Sequence, residues 1–222
     1  MGKGLFITGT DTDIGKTYVT ALLVKTLRGA GYDVGYYKAA ISGADSVAES
    51  DAGFVNRFAH IGEDEDMLLS YLYKNAVSPH LAARIEGHPV EKDVILAGWQ
   101  RAAAKYPYVT MEGSGGICCP IRHDETAVYY LEDIIRWLRL PVLIVADAGL
   151  GTINHVALTA FYMKERGLTA KGVLLNNWKG GLMEEDNVNM IEEMTGLPVL
   201  AKIRRGDTAL DADPALLASL YE

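Results

Sequence analysis

The sequence predicts an α/β fold: one doubly wound, mainly parallel sheet with helices packed on both of its faces. Short apolar runs rich in β-branched residues alternate along the chain with longer runs of helical spacing. Strands that alternate with helices are joined by right-handed crossovers into a parallel sheet. No internal repeat, long linker or low-complexity stretch interrupts this alternation, and 222 residues suit one domain with a substantial core. We therefore expect a single domain over residues 1–222.

The first strand and the first helix enclose a loop that is typical of a phosphate-binding site. Residues 5–8 form a short apolar run that predicts a buried strand. Residues 18–28 carry apolar side chains at helical spacing. Between them, residues 9–17 have the sequence Gly-Thr-Asp-Thr-Asp-Ile-Gly-Lys-Thr. Strand, tight loop, Gly-Lys-Thr and helix together are the layout of a P-loop.

The chemistry of this loop suits a nucleoside triphosphate. Free N–H groups and the dipole at a helix N-terminus attract an anion. Lys16 adds a positive charge for the outer phosphates, and the hydroxyl of Thr17 can ligate magnesium. One position departs from the usual spacing: Thr10 stands where a glycine is expected, and Gly9 lies one residue earlier.

A second strand is expected over residues 33–37 and ends at Lys38, ahead of a small polar loop over residues 39–45. Ligands of open α/β sheets bind beyond the carboxyl ends of the strands. Lys38 is therefore a candidate contact for substrate or phosphate, and a solvated lysine fits the pattern equally well. A helix is expected to begin at Ser50 or Asp51, one of which caps it.

Two acidic residues that follow strands compete for the role of metal ligand. A strand over residues 108–111 runs into Glu112 and then into the glycine-rich residues 113–116. Another strand over residues 140–146 ends at Asp147 in the same manner. A carboxylate beside such a loop can hold magnesium or its water while the glycines let the backbone approach phosphate. Sequence spacing alone does not decide whether Glu112 or Asp147 binds the metal.

The rest of the chain continues the alternation. Residues 149–155 open a helix whose glycines and small polar residues make a second possible anion site, with a plain capped helix as an equal alternative. A strand over residues 171–176 ends at Asn176 and Asn177. Helices are also expected from residue 79, over 90–105, over 183–194 and over 213–221, and a last strand over 198–203.

Composition excludes several classes of function. The net charge of −8 and the lack of a Lys/Arg cluster argue against a nucleic-acid footprint. The longest apolar run is far shorter than a membrane span, and no signal peptide precedes the first strand, so we expect a cytoplasmic protein without a membrane partner. Adjacent Cys118 and Cys119 are expected to be free thiols in a reducing compartment.

Taken together, these segments resemble the dethiobiotin synthetases, ligases of the P-loop class. The resemblance covers most of the chain. Its most specific parts are residues 9–17 and the Gly-Leu-Gly-Thr-Ile-Asn-His run over 149–155. The order and spacing of further motifs add weight: Tyr37-Lys38 with Ser42, Ser50-Asp51, Ser78-Pro79-His80 and the Glu-Gly-Ser-Gly-Gly run over 112–116.

The resemblance implies an ATP-dependent closure of a cyclic urea on 7,8-diaminopelargonate with carbon dioxide. One substrate amine takes up carbon dioxide as a carbamate, the γ-phosphoryl group of ATP moves onto that carbamate, and the second amine displaces phosphate. Positive charge around the transferred phosphoryl group matters more for this chemistry than a strong base.

The resemblance also implies a role for individual residues. Lys16, Lys38 and Thr12 would be catalytic, and Thr17, Asp51 and Glu112 would hold Mg²⁺, which favours Glu112 over Asp147 by analogy alone. Substrate would contact Thr12, Lys38, Ser42 and the turn formed by Gly151, Thr152, Ile153 and Asn154, which a second subunit of a homodimer contributes. ATP would contact Asp13, Ile14, Gly15, Lys16, Thr17, Tyr18, Asp51, Glu112, Gly113, Ser114, Gly115, Asn176 and Asn177, with Asn176 at the adenine.

Two segments depart from the family pattern. Ile117-Cys118-Cys119-Pro120 stands where aliphatic residues are usual, a tolerable change. Ile203-Arg204-Arg205 replaces the usual Ile-Pro near the base, which makes the preference for adenine less secure than phosphate binding.

Two alternatives remain from other classes. An amide-forming synthetase of cobyrinate type shares this P-loop, but the chain has no room for the glutaminase domain that those enzymes carry. A partition-type dimeric switch ATPase carries an additional lysine early in its P-loop, and this chain has Asp11 there.

Overall fold

The computed structural model describes residues 2–222, and its core is a sheet of parallel strands. The strands are β1 (Lys3–Gly9), β2 (Val34–Ser42), β3 (Leu69–Tyr73), β4 (Tyr108–Gly116), β5 (Pro120–His123), β6 (Val128–Tyr130), β7 (Val142–Asp147), β8 (Ala170–Asn176) and β9 (Val199–Lys202). The helices are α1 (Lys16–Gly29), α2 (Asp51–Phe58), α3 (Glu65–Leu68), α4 (Pro79–Glu86), α5 (Lys92–Lys105), α6 (Leu131–Leu138), α7 (Thr152–Glu165), α8 (Leu182–Thr195) and α9 (Pro214–Ser219).

Seven of these strands form one sheet in the order β3-β2-β4-β1-β7-β8-β9, and each neighbouring pair is parallel. β5 and β6 form a separate antiparallel pair. All carboxyl ends of the main sheet lie at one edge, where parallel strands of open sheets offer their ligand sites. The predicted α/β fold with a mainly parallel sheet is confirmed.

The centre of the sheet is buried because helices cover both of its faces. Leu5, Phe6 and Ile7 of β1 are fully buried although their side chains alternate in direction. α1 packs its apolar stripe of Val19, Leu22 and other residues into the same core. β1 and α1 are thereby held rigidly, and the loop between them is fixed at both ends.

Two predicted loops belong to strands instead. β2 continues past Lys38 to Ser42, because Ala40 and Ile41 pair with β3 at the sheet edge. The glycine-rich residues 113–116 complete β4, and Gly116 pairs with Gly9 of β1. The sequence predicts loops at residues 39–45 and 113–116, but residues 39–42 and 113–116 belong to strands. Small residues pair in a strand when neighbouring strands supply the partners.

Helices in the described range of residues 2–222 lack the length and apolar content needed to cross a lipid bilayer.

Candidate active site

The phosphate-binding loop lies at the carboxyl edge of the sheet, between β1 and α1. Gly15 has a φ of 83°, and a Cβ atom added there would lie 2.2 Å from Nδ2 of Asn176. That amide donates a 2.8 Å hydrogen bond to the carbonyl of Ile14 and so braces the loop from β8. Within the described chain, no side chain caps the N-terminus of α1. The first N–H groups of this helix therefore remain available to an anion.

A cavity of about 420 Å³ opens beside this loop. The P-loop, the end of β2, the start of α2 and β4 all contribute to its wall. Its lining consists of Thr12, Asp13, Gly15, Lys16, Thr17, Lys38, Ile41, Ser42, Asp51, Glu112, Ser114 and Gly115. Most of the residues predicted from sequence to bind ATP, metal or substrate thus meet in one cavity.

A network of charged groups forms the floor of the cavity. Lys38 and Glu112 are register partners on β2 and β4, and their side chains meet at 2.8 Å between Nζ and Oε1. The Lys38 ammonium also lies 2.6 Å from Oδ2 of Asp51, at the first position of α2. Thr17 donates its hydroxyl to Oε1 of Glu112 at 2.8 Å. One lysine is therefore held between two carboxylates beside the P-loop.

The two lysines of the cavity differ in their electrostatic surroundings. Burial by itself lowers the pKa of Lys38, but the negative charges of Glu112 and Asp51 outweigh it and raise that pKa above its ordinary value. Burial is the main influence on Lys16 and holds its pKa below the ordinary value. In the part of the chain that the structure describes, Lys16 forms no ion pair, and its ammonium lies over Gly9. Among those residues, no carboxylate contacts the Lys16 ammonium directly, although the charges of Glu112 and Asp51 act on it from a distance.

The geometry separates the two acidic candidates that spacing left open. Glu112 contacts both Thr17 and Lys38 in the cavity. Asp147 instead accepts a hydrogen bond from the N–H of Gly149 at 2.8 Å and another from Nδ2 of Asn177 at 2.6 Å. The carboxylate of Asp147 therefore stabilises the turn after β7, and it does not line the cavity.

Tyr36 is a further residue of this network, and none of the sequence motifs includes it. Its hydroxyl donates to Oε2 of Glu112 at 3.0 Å, and its side chain is almost fully buried. Burial, reinforced by the charge of Glu112, raises the pKa of the Tyr36 phenol well above its ordinary value, so the group remains a donor. Period-two alternation from Lys38 would have placed Tyr36 on the same face of β2.

The serine and glycines after Glu112 have different roles. Ser114 donates its hydroxyl to the carbonyl of Ala40 at 2.8 Å and lines the cavity. Gly115, with a φ of 65°, faces Thr12. Gly113 does not line the cavity, because a Cβ there would lie 2.8 Å from a methyl group of Leu131 and 2.9 Å from the ring of Phe6. Gly113 is required for close packing on the opposite face of β4.

Other predicted ligands lie at the periphery. The hydroxyl of Ser42 reaches the cavity wall and donates to the carbonyl of Val77 at 2.6 Å. The hydroxyl of Tyr18 bonds the backbone carbonyl of Asp207, in the segment after β9. Asn176, Asn177 and Ile14 lie next to the P-loop or the β8 end without lining the cavity itself.

The turn at the start of α7 is not part of this cavity. Gly151 precedes the helix with a φ of 93°, and Ile153 and Asn154 follow in its first turn. Thr152 is buried, and among residues 2–222 its hydroxyl has no hydrogen-bond partner. The structure thus separates the turn over residues 151–154 from the other predicted substrate contacts within a single chain.

The donor set of the cavity fits a hard cation. Carboxylates and hydroxyls are the protein ligands that Mg²⁺ prefers, and it retains water and phosphate oxygens around them. Asp51 offers a carboxylate whose side chain is 45% exposed, next to the hydroxyl of Thr17 and the carboxylate of Glu112. No histidine or cysteine ligand is needed for such a site.

Comparison with known proteins agrees with these features. The family described as AAA domain matches residues 3–209. The chain is 48% identical over 212 residues to the ATP-dependent dethiobiotin synthetase BioD of Brachyspira hyodysenteriae, which covers 95% of this chain and 96% of that protein. It is 44% identical over 208 residues to the protein of the same name from Clostridium kluyveri, over 92% of this chain and 86% of the other.

Among solved structures, the chain is similar to a chain of the MinC:MinD cell division protein complex of Aquifex aeolicus. The TM-score is 0.54 at 14% identity, over 91% of this chain and 81% of the other. At that identity the likeness concerns the fold alone. The sequence matches decide the family: this chain is a member of the ATP-dependent dethiobiotin synthetases.

Proposed function

We propose that this protein carboxylates 7,8-diaminopelargonate with carbon dioxide and closes the ring to dethiobiotin, converting ATP to ADP and phosphate. It is a ligase. One observation supports the proposal above the others: Lys38, held by Glu112 and Asp51, lines the same cavity as the P-loop Lys16. A phosphoryl group bound in this cavity would therefore have two cations near it.

The proposed reaction begins with a carbamate. An amine of the substrate adds to carbon dioxide and loses a proton. A carbamate oxygen then attacks the γ-phosphorus of ATP, the bond to the β–γ bridging oxygen breaks, and ADP leaves. The second amine attacks the carbamate carbon of the resulting carbamic-phosphoric anhydride and loses a proton, phosphate leaves with the bond to that carbon, and the cyclic urea is complete. The step that needs the protein most is phosphoryl transfer, in which negative charge spreads over the transferred group.

The residues of the cavity suit that step. Lys16 forms no direct ion pair within the described residues, so its ammonium is available to contact the β- and γ-phosphates. The two carboxylates keep Lys38 protonated, and this lysine lines the same cavity, where we assign it to the carbamate and the transferred phosphoryl group. Thr12 and Ser42 are the hydroxyl-bearing residues of the cavity wall that we assign to the diamine or carbamate. Preorganised cations of this kind stabilise charge that develops in the transition state.

We assign Mg²⁺ to Thr17, Asp51 and Glu112, the hard oxygen donors next to the P-loop. When bound, the ion would neutralise charge on the β- and γ-phosphates. The protein's own part is to orient these three side chains, which it does through Lys38 and the hydrogen bonds between them.

We assign the remaining ATP contacts to the loop residues Asp13, Ile14, Gly15 and Tyr18, to the segment Gly113–Gly115 and to Asn177. Asn176 is our candidate for recognition of adenine. Its Nδ2 donates to the Ile14 carbonyl, which leaves its Oδ1 to accept from an exocyclic amine. The segment Ile203-Arg204-Arg205 follows β9, the neighbour of β8, and stands where the family usually has Ile-Pro, so triphosphate binding is better supported than base preference.

The active form is proposed to be a homodimer. The turn over residues 151–154 lies outside the cavity of its own chain, so it could complete the site of a second chain. α7 carries large apolar side chains at its surface: Leu158 is 61% exposed and Phe161 63%, and Leu150 just before the helix is 91% exposed. Contiguous exposed apolar side chains indicate an interaction surface.

We also infer that residues 1–222 form a single domain that works in the cytoplasm. One cluster of buried apolar side chains extends from β1 to α9, which supports a single core. The free thiols of Cys118 and Cys119 are consistent with a reducing compartment.

The alternative of a dimeric switch ATPase is not favoured. The sequence relatives are dethiobiotin synthetases over almost their whole length, and the likeness to the MinC:MinD complex concerns fold only. Asp11 also stands where a switch ATPase carries its additional lysine.

Incorporation of labelled carbon tests the proposal directly. The protein is incubated with ATP, Mg²⁺, diaminopelargonate and ¹³C-bicarbonate, and the product is examined by mass spectrometry. We expect one ¹³C atom in a product of cyclic-urea mass, formed only when ATP and the diamine are both present. Absence of the label from every product, with an active control synthetase, would reject the proposal.

A further inference from the structure

Tyr36 is a buried side chain that contacts the charged network without lining the cavity. It is the register partner of Thr110, just as Lys38 is the register partner of Glu112 two residues further along the same pair of strands. Residues two apart share one face of a strand, and the Tyr36 hydroxyl reaches Glu112 across this parallel pair at 3.0 Å. The phenol of Tyr36 therefore lies beneath the carboxylate of Glu112, on the side away from the cavity.

The two oxygens of Glu112 have different partners. Oε1 accepts from Thr17 and from Lys38, two residues that line the cavity, at 2.8 Å each. Oε2 accepts from the hydroxyl of Tyr36 at 3.0 Å. Because the Glu112 side chain is fully buried, Oε2 needs a hydrogen-bond donor from the protein, and the Tyr36 hydroxyl is that donor. Tyr36 thereby fixes the rotation of the carboxylate and leaves Oε1 on the side of Thr17 and Lys38.

We propose that Tyr36 is a positioning residue for the metal–nucleotide site: its hydroxyl fixes the orientation of the Glu112 carboxylate, which would help to hold Mg²⁺ bound to ATP. This inference rests on the proposed role of Glu112 at the metal, and it assigns to Tyr36 a function beyond packing. Hydrogen-bond donors behind a metal ligand orient it, and their removal typically weakens metal binding by 10- to 100-fold.

The chain supplies a matched control at the next position. Tyr37 is also buried on β2, but its side chain points to the opposite face of the sheet. Its hydroxyl lies 2.6 Å from Oγ of Ser70 and donates to the carbonyl of Ile95 at 3.1 Å, away from the cavity. Tyr36→Phe and Tyr37→Phe each remove one buried hydroxyl from the same strand, and only the first touches Glu112.

The test measures metal binding without turnover. Mn²⁺ serves as the probe, and its free concentration is followed by electron paramagnetic resonance in the presence of a non-hydrolysable ATP analogue. We expect Tyr36→Phe to weaken Mn²⁺ binding by about tenfold, whereas Tyr37→Phe stays within about twofold of the wild type. Thermal unfolding without metal reports the loss of stability in each variant. Equal Mn²⁺ affinities of the two variants would overturn the inference.

Two further experiments test whether Tyr36 acts through Glu112: a double mutant and a fluorine label at position 36. In a Glu112→Gln background, Tyr36→Phe should have little further effect on Mn²⁺ affinity, because the two residues act as one unit. If Tyr36→Phe does not fold, 3-fluorotyrosine placed at position 36 keeps the hydroxyl. Its ¹⁹F signal should shift when Mg²⁺ and the analogue are added, and the same label at position 37 should not. An unshifted signal at position 36 would contradict the proposal.

The experiments distinguish rejection of the Tyr36 role from rejection of the proposed ligase function. Wild-type protein that forms dethiobiotin, with both tyrosine variants binding Mn²⁺ equally, would reject the role of Tyr36 alone. Wild-type protein that binds Mn²⁺ in a Tyr36-dependent manner but makes no dethiobiotin would reject the proposed substrate and keep the positioning role.

Discussion

Lys38 combines an unusual degree of burial with a full positive charge. It is enclosed by protein, yet Glu112 and Asp51 lie within 2.8 Å and 2.6 Å of its ammonium. A buried charge persists only when such partners compensate for lost hydration. The same two carboxylates that stabilise the lysine are those we assign to Mg²⁺, so the network holds the proposed catalytic lysine and two proposed metal ligands in one geometry.

Replacement of Lys38 tests its assignment to the transferred phosphoryl group. For Lys38→Ala we expect kcat to fall by about 10²- to 10³-fold, because a preorganised charge at the transition state is lost. Binding of a non-hydrolysable ATP analogue should change far less, since Lys16 and the P-loop remain. Steady-state kinetics and calorimetric titration measure the two quantities.

The control for this variant is Lys202→Ala, which removes a partly exposed lysine paired with Glu185 at 2.6 Å. Exposed ion pairs of this type contribute little, so its kcat should be close to that of the wild type. Near-wild-type turnover in Lys38→Ala would show that the lysine has only a structural role.

At the scale of elements, helix α1 has a glycine at each end, and the two glycines have different surroundings. Gly15 begins it from a left-handed conformation, with no space for a Cβ beside Asn176. Gly29 ends it in open surroundings, where an added Cβ would have no contact within 4 Å. The two glycines of one helix therefore differ in what an added methyl group would encounter.

Gly15→Ala should weaken binding of an ATP analogue by about tenfold, since a left-handed non-glycine residue costs roughly 1–2 kcal/mol and Asn176 must also move. Gly29→Ala should leave that affinity unchanged. Calorimetric titration of both variants with the same analogue makes the comparison. Equal affinities would mean that the P-loop does not need the conformation seen at Gly15.

Glu63 connects the segment before α3 with the end of α5. Its buried carboxylate accepts from the ammonium of Lys105 at 2.7 Å and from the hydroxyl of Tyr106 at 2.6 Å. Burial alone would raise the pKa of Glu63, but these hydrogen bonds outweigh it and hold the pKa below its ordinary value. An acidic run such as residues 63–66 is typical of a solvated helix start, but the side chain of Glu63 is buried.

The contribution of Glu63 to the free energy of unfolding should be larger at neutral pH than at acidic pH. A carboxyl whose folded pKa is lowered stabilises the protein above its unfolded pKa, and the contribution disappears as pH falls through the folded pKa. The free energy of unfolding should therefore differ most between wild type and Glu63→Gln at neutral pH, and the difference should shrink below about pH 4.3. Urea unfolding from pH 7 to pH 3 measures it, with Glu65→Gln at an exposed position as control. A difference that stays constant with pH would rule out this ionic contribution.

At the scale of the whole molecule, strand order decides which distant residues meet. β4 lies between β1 and β2, which brings Glu112 next to both the P-loop and Lys38. β7 lies on the other side of β1, so Asp147 ends a strand at the same edge without joining the network. Spacing along the chain is alike for the two acidic residues, and only their positions in the sheet distinguish them.

Local features of this molecule could be predicted from the sequence, and features that depend on strand order could not. The P-loop and its flanking elements are local, so residues 9–17 sufficed to identify them. Tyr36 was missed although its alternation with Lys38 was available. β3 and α6 were missed although Leu69, Tyr71 and Tyr73 alternate, and although α6 has apolar residues at helical spacing. β5 and β6 are too short to show an alternation of apolar and polar residues, and their pairing depends on the tertiary structure.

Association of two chains is a prediction for the whole molecule. Phe161→Glu places a charge on the apolar surface of α7 and should convert dimers to monomers, as measured by light scattering after size exclusion. Activity should fall with it, because the turn over residues 151–154 is expected to serve the partner's site. Leu216→Glu on α9 introduces the same charge at another exposed apolar position and should remain dimeric. A fully active wild-type monomer would contradict the shared site.

The coupling of ATP to the diamine is the most direct test of the central claim. Purified protein is mixed with ATP, Mg²⁺ and bicarbonate, and phosphate release is followed with and without diaminopelargonate, while the product's mass is recorded. We predict that phosphate release requires the diamine and equals the amount of dethiobiotin formed. ATP hydrolysis that is indifferent to the diamine, with no product of cyclic-urea mass, would contradict the ligase function and leave only the P-loop fold.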